Sequence, residues 1–285
     1  MNTSLPLVTV VIPSYNHSKY IQQSIQSVID QTYARIELIV IDDGSQDDSV
    51  ARIEVMRQLC EKRFERFLFI TRENRGLSKT LNQGIALANG EFFSTVASDD
   101  IMLPEKTTIQ IEAITKNTNI AAIFGAHQLI NDDGDVVKVK ENARYREFTF
   151  QEIFFHQHDI PASSQLIDLK LLKEIGGYNE NTKVEDWDLW LRLTEHDAKL
   201  IYLPEIIVGY RMHETNLSRD KSLMFEEVFK ILQQYKDKKG YPYAEYKVYK
   251  FYKIRPAKEK SYINYLLLRI KYSISYLIKS ICEKK

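Results

Sequence analysis

Cysteine is nearly absent: Cys60 and Cys282 are the two in 285 residues, far apart and without metal-ligand spacing. This excludes a disulfide framework or a cysteine zinc site and predicts a reducing, cytoplasmic setting. No charged-then-apolar leader precedes the first apolar run, so export is not expected. Internal repeats and low-complexity tracts are missing too. So is a net charge of either sign, because 39 Lys+Arg balance 39 Asp+Glu. The balance conceals an asymmetry. Residues 236–285 hold 14 Lys/Arg against 4 Asp/Glu, which leaves about +10 on this tail and about −10 on the rest. A basic tail is either a solvated surface or a contact for a polyanion, membrane phospholipid or nucleic acid. With 44% hydrophobic and 27% charged residues, the chain has the composition of a folded soluble protein. Its length allows one large domain or a domain with an appendage.

What is present begins with alternation. Apolar, β-branched runs predict strands over 7–12, 36–41, 67–71 and 92–96. Helical patterns separate them over about 18–32, 48–63 and 77–88, so the first hundred residues read as βαβ units around a parallel sheet. After Asp100 the pattern becomes mixed α+β. A helix is expected over 104–116, a strand over 120–130, a turn at Asn131-Asp132-Asp133-Gly134 and a return strand over 136–139. A strand over 162–167, a helix over 169–175 ended by Gly176-Gly177, a helix over 186–195 and a strand over 206–212 follow. From 218 the chain is helical and rich in Lys and Tyr. Ile263, Leu266, Leu267, Ile270, Ile274, Leu277 and Ile281 define one apolar face of the last helix. Arg269, Lys271 and Lys279 make it too polar to span a bilayer. It is expected to dock on its own domain, on a second subunit as a homodimer, or on a membrane surface.

The chemistry-bearing residues stand at the predicted ends of strands. Asp42-Asp43-Gly44-Ser45 follows the second strand, and Pro13-Ser14-Tyr15-Asn16 the first. Ser98-Asp99-Asp100 follows the strand over 92–96. Further on come Glu185-Asp186-Trp187-Asp188 and Tyr210-Arg211-Met212-His213. In an open α/β sheet, ligands bind outside the carboxyl ends of the strands. Aspartates there suit a ribose hydroxyl or a divalent metal, and a glycine lets the chain turn sharply.

In this order and spacing the clusters resemble the inverting family 2 glycosyltransferases over roughly residues 5–218. Glu73-Asn74-Arg75-Gly76-Leu77-Ser78, Asn82-Gln83-Gly84-Ile85 and Gly176-Gly177-Tyr178 are similar to that family as well. The resemblance implies a GT-A fold: a Rossmann-like, doubly wound, mostly parallel sheet with a mixed α+β acceptor half. It divides the chain into a catalytic domain over 1–217, split into a nucleotide-binding half (1–100) and an acceptor half (101–217), and a helical C-terminal region over 218–285. It implies Mn²⁺ or Mg²⁺ on Asp100, with His213 as a further ligand or phosphate donor. Asp99 would face the donor's ribose or sugar. Pro13, Tyr15 and Asn16 would shape the base pocket, with Tyr15 stacking on the base. Asp42 would bind base or ribose, with Asp43 supporting the turn. Arg211 would neutralise the diphosphate, assisted by Arg75 and Lys79. Asp186 matches the general base, with Glu185 as its substitute, while Asp188 is expected to be solvated or capping. The family pattern often carries an aspartate two residues before Asp99; this chain has Ala97 there.

Together these expectations describe a cytoplasmic, metal-dependent inverting enzyme, peripheral at the inner face of the membrane. It would move a hexose or N-acetylhexosamine from a UDP-sugar to a hydroxyl of a glycan or lipid-linked oligosaccharide in O-antigen, capsule or lipooligosaccharide assembly. Such a transfer is a direct displacement, so a base must take the acceptor proton, while a divalent cation offsets the growing charge of the diphosphate. His156 and His158, before Pro161-Ala162-Ser163-Ser164, are acceptor-side candidates. A nucleotidyltransferase is the first rival, but it calls for a Gly-rich, basic phosphate loop that Pro13-Ser14-Tyr15-Asn16 does not resemble. A polyanion-binding protein is the second, and nucleic acid is not expected as a partner because the acidic clusters would repel it.

Overall fold

A computed structural model describes residues 5–139, 143–195, 198–212 and 220–283. The first strand, β1 (Val8–Ser14), leads through α1 (Ile21–Ile29) to β2 (Ile36–Asp42). Every residue of β2 is buried, as a strand covered on both faces requires. The helix expected over 48–63 is broken at Met56 into α2 (Ser49–Val55) and α3 (Arg57–Arg63). Then come β3 (Arg66–Thr71), α4 (Leu77–Leu87) and β4 (Phe92–Thr95). β1 pairs in parallel with β2 on one side and with β4 on the other, and β2 continues in parallel to β3. Strand order therefore reverses beside β1, and a crevice opens outside the carboxyl ends of β1 and β4.

Side-chain alternation in β1 sorts the core into two layers. Val8, Val10 and Ile12 pack with Ile21, Ile25 and Val28 of α1, whereas Val11 joins Leu81 and Ile85 of α4 on the opposite face. Gly84 permits that second contact, since a Cβ there would come within 2.8 Å of Val11 Cγ1.

The second half extends the same sheet. β5 (Ile101–Met102), α5 (Lys106–Thr115), β6 (Ile120–Ile130) and β7 (Val136–Val139) are followed by β8 (Arg146–Phe148) and α6 (Phe150–Phe154). A 3₁₀ turn over Ala162–Ser164 takes the first part of the strand expected over 162–167. It is followed by β9 (Leu166–Asp168), α7 (Leu169–Glu174), α8 (Glu185–Thr194) and β10 (Lys199–Arg211). β10 starts seven residues before the expected strand and carries register shifts around Pro204 that a proline-free pattern would not contain. The strand order is β3-β2-β1-β4-β9-β6-β10-β5, with β9 antiparallel to both β4 and β6. The doubly wound, mostly parallel first half and the mixed second half match the expectation.

The C-terminal helices are α9 (Lys221–Gln233), α10 (Tyr241–Tyr249), a π-turn over Lys250–Ile254, α11 (Arg255–Lys260) and α12 (Tyr262–Glu283). Val228, Ile231 and Leu232 of α9 and Ala244 and Val248 of α10 belong to the same core cluster as α4 and α8. α12 docks on α10 through rings rather than aliphatic chains. Tyr272 stacks on Tyr249 at 4.0 Å, Tyr276 on Tyr246 at 5.5 Å, and Lys279 Nζ reaches Glu245 at 2.6 Å. Its aliphatic stripe points outward, with Ile263 72% and Ile274 51% exposed. Among the described residues no helix is long and apolar enough to cross a membrane.

Candidate active site

The crevice outside β1 and β4 is a cavity of about 730 Å³. Its walls come from the loops after β1, β2 and β4, the start of α4, residues 156–160, the first turn of α8, and Met224, Val228 and Tyr252 of the C-terminal helices. That volume lies in the range of small-molecule sites.

After β1, Pro13, Ser14 and Tyr15 line the cavity, and Tyr15 is 46% exposed there. Ser14 Oγ is buried without a hydrogen-bond partner, so a ligand hydroxyl or phosphate would satisfy it. Asn16 adopts φ 53°, its amide N–H donates to Ser45 Oγ at 2.9 Å, and its Oδ1 accepts from the Gln46 amide at 2.8 Å. It thereby ties the first strand-end loop to the second. Asp47, ahead of α2, accepts from the Ser18 amide at 2.9 Å and the Ser49 amide at 3.0 Å. Against the upward push of burial, these bonds and the Ser49 hydroxyl hold Asp47 down at about 2. The Ser45 hydroxyl donates to Asp42 at 2.5 Å.

Asp42 and Asp43 divide their work. Asp42 is fully buried and closes its own turn, accepting from the Gly44 and Ser45 amides at 3.2 and 3.0 Å. Gly44, at φ 80°, is needed because a Cβ would meet Asn74 N at 2.8 Å. Asp43 lines the cavity and binds the next segment, accepting from the Arg75 and Gly76 amides, each at 2.8 Å, and from Arg72. The side chains of Arg75 and Lys79 are exposed and outside the cavity lining, which takes Asn74, Gly76, Leu77 and Thr80 from this segment.

Asp99 and Asp100 stand on the cavity wall after β4. Burial, then the neighbouring Asp99 charge, holds the Asp100 carboxyl well above its ordinary range, although the Arg211 amide donates to Oδ1 at 2.9 Å. Hard oxygen donors of this kind fit Mg²⁺ or Mn²⁺, which take one or two carboxylates and complete their shell with substrate phosphates and water. Among the described residues no group of three His, Cys, Asp or Glu forms a cage. His213 lies outside the described residues.

Arg211 is fully buried and differs from its expected place at the phosphates. Nε donates to the Asp99 carbonyl at 2.7 Å, Nη1 to the Asp132 carbonyl at 2.9 Å and Nη2 to Gln23 Oε1 at 2.7 Å, and the guanidinium stacks over Tyr20. The guanidinium is spent on holding the Asp99–Asp100 backbone against α1 and the β6–β7 turn.

Across the cavity, α8 opens with Glu185 and Asp186, both on the wall. Asp186 Oδ1 accepts from the Trp187 amide at 2.7 Å, which fixes its direction. Burial raises both carboxyls, Glu185 to about 8 with a further push from Asp186. Asp188 corrects its expectation. It is 2% exposed and clamps Arg192 Nε at 2.7 Å and Asn179 Nδ2 at 3.1 Å, so it anchors the helix rather than meeting solvent.

His156 stacks on Trp187 at 4.3 Å, and His158 meets Trp190 edge-on at 5.3 Å. Burial lowers them to about 3 and about 4, so both are neutral at pH 7. His156 Nε2 and both ring nitrogens of His158 lack hydrogen-bond partners, although both rings line the cavity. Two residues received no role of their own from the sequence. Ser14 was only part of a motif, and Lys106 is fully buried against β4, donating to Ser94 Oγ at 2.7 Å and lowered to about 7 by burial.

A family model, glycosyl transferase family 2, matches residues 9–176. An uncharacterized glycosyltransferase of Methanocaldococcus jannaschii is 26% identical over 240 residues, covering 83% of this chain and 82% of its own. The hyaluronan synthase of Pasteurella multocida is 25% identical over 246 residues, 85% of this chain and 24% of the synthase. A TarS fragment of S. aureus in complex with UDP-GlcNAc has a TM-score of 0.66 at 18% identity, over 86% of this chain and 71% of that one. The mannosyltransferase PcManGT of Pyrobaculum calidifontis, with GDP-Man and Mn²⁺, has a TM-score of 0.63 at 14% identity, over 99% and 89%. The structural likenesses establish the GT-A fold, and the matched family model goes further: this chain belongs to glycosyltransferase family 2.

Proposed function

We propose that the chain transfers a hexose or N-acetylhexosamine from a UDP-sugar to a hydroxyl of a glycan acceptor, inverting the anomeric carbon, in the assembly of a surface polysaccharide. One observation carries the proposal: the carboxylate pairs Asp99–Asp100 and Glu185–Asp186 face a single cavity from different elements. One pair suits the donor's diphosphate and the other suits an acceptor hydroxyl. Tyr15 and Pro13 would receive the base, and Ser14 Oγ would take a donor hydroxyl or phosphate. The donor complexes of TarS and PcManGT support a nucleotide sugar in this crevice.

A divalent cation bound at Asp100 would offset the charge growing on the leaving diphosphate. Asp186 would take the proton of the acceptor hydroxyl as that oxygen bonds to the anomeric carbon and the sugar–diphosphate bond breaks. Its raised affinity for protons suits it to a base working near neutral pH. His156 and His158, neutral, one stacked on Trp187 and the other edge-on to Trp190, would hydrogen-bond acceptor hydroxyls from the same side. The acceptor would sit at an anionic membrane, which the basic tail and the outward stripe of α12 support.

Asp186→Asn tests the central role. Transfer should fall by at least about a thousandfold, on the scale of losing a catalytic base, while UDP and Mn²⁺ binding by calorimetry stay near wild type. Retained turnover removes Asp186 as the base.

A further inference from the structure

A second concavity, of about 460 Å³, lies in the notch between α10–α11 and the start of α12. Lys250, Arg255 and Lys258 line it from one side and Arg269 from the other, with Tyr246 and Tyr265 between them. No carboxylate lines it, and among the described residues none of these four cations has an ion-pair partner. Other cations of the same tail are paired, Lys238 with Glu195 and Lys279 with Glu245, each at 2.7 Å or less. Arg269 Nη1 lies 3.5 Å from Tyr265 OH, so that guanidinium keeps its remaining donors.

The backbone contributes to the cluster. Lys250 and Arg255 are five residues apart and would diverge by about 140° on an α-helix. The π-turn over Lys250–Ile254 carries i→i+5 geometry and turns both to one wall. π-turns are rare and concentrate at functional sites. Four like charges converging on one hollow repel each other, and an anion within it removes that repulsion. Guanidinium forks beside an ammonium and a phenol hydroxyl match phosphate oxygens best.

We propose that this notch binds a phosphate or diphosphate group, at a site separate from the donor crevice. The group belongs either to a soluble diphosphate or to the headgroup of an anionic lipid, and one experiment distinguishes them. The full chain, in metal-free buffer with chelator, is titrated with inorganic pyrophosphate by calorimetry. Saturable binding is expected, weakened at least about tenfold by Lys250→Gln/Arg255→Gln/Arg269→Gln, since three charged donors to the phosphate are lost together. All three side chains are exposed, so folding should persist, as circular dichroism will verify. Lys236→Gln/Lys239→Gln/Lys271→Gln removes the same charge elsewhere on the tail and should change affinity less than about twofold. Tyr15→Ala, in the donor crevice, should leave it unaltered. No saturable binding, equal losses in the two triple variants, or loss in Tyr15→Ala overturns the site. In a second arm, phosphatidylcholine vesicles with and without phosphatidic acid are sedimented with the protein. Phosphatidic-acid-dependent sedimentation that pyrophosphate blocks and the notch variant abolishes assigns the site to lipid. Pyrophosphate binding without that dependence assigns it to a soluble diphosphate. Neither result depends on glycosyl transfer, so that reading and this one fail separately.

Discussion

Glu185 and Asp186 are adjacent and share a cavity wall. Both carboxyls are raised in the folded chain, Glu185 to about 8, chiefly because burial disfavours their charged forms. The sign has two consequences. The unfolded chain ionises Glu185 near pH 4.5 and Asp186 near 3.8, so their stabilising contribution is full below those values and is lost as pH rises, for Glu185 through about 8. Catalysis runs the other way, because a base must be ionised. The kcat/KM of the wild type is therefore expected to climb between pH 6 and 9. Glu185→Gln should remove the part of that limb due to Glu185 and leave the part due to Asp186, whose carboxyl is raised by burial. A pH-independent kcat/KM across this interval refutes the pair as the basic group. The motif Glu185-Asp186-Trp187-Asp188 was visible in sequence, and the resemblance already set Asp188 apart from the base, but the anchoring role of Asp188 was not visible. Asp188 resembles Asp186 in type and differs only in facing Arg192 and Asn179, partners that the fold alone supplies. Lys106 was illegible for a related reason: a lysine in a helical pattern reads as solvated unless something shows that its helix lies under a sheet.

At the scale of elements, the parallel half was the most legible. Buried parallel strands are continuous apolar runs, and β1, β2 and β3 lie within two residues of their expected limits. β10 was half hidden because Pro204 and Glu205 interrupt its apolar pattern, and β5 is too short to carry any pattern. α12 was legible as an amphipathic helix but not in its orientation. The aliphatic stripe was the natural docking face, yet tyrosines and Lys279 make the contact with α10. The outward stripe therefore has a measurable role. Ile270→Ser/Ile274→Ser changes two side chains at least half exposed, so the melting temperature should move by less than about 2 °C. Association with anionic vesicles should drop at least about tenfold, each lost side chain being worth 1 kcal/mol or more when buried in lipid. Unchanged vesicle association refutes the membrane role of α12. A wild-type dimer that becomes a monomer in this variant, by ultracentrifugation, instead assigns the stripe to a second copy of the chain.

At the scale of the molecule, sequence-distant segments are bound into one unit around the crevice. Arg211 sits at the far end of β10, 112 residues from Asp99, whose carbonyl it holds at 2.7 Å. The same side chain reaches Gln23 of α1 and the Asp132 carbonyl in the β6–β7 turn. Such a tie joins the half expected to bind nucleotide to the half expected to bind acceptor, and sequence spacing gives no sign of it. A lysine would keep the charge but lose the fork that serves three elements at once. Arg211→Lys is thus expected to destabilise the fold by about 2–4 kcal/mol, through buried carbonyls left without donors. If the halves are one cooperative unit, urea unfolding of this variant followed by Trp fluorescence and by circular dichroism will give coincident transitions at a lower midpoint. Because the Arg211 guanidinium also holds the Asp99 carbonyl beside Asp100, nucleotide affinity should weaken in parallel, with the residual enzyme keeping its pH profile. An unchanged midpoint would mean that the guanidinium is not the joint between the halves. A loss of nucleotide affinity without loss of stability would return Arg211 to the phosphates.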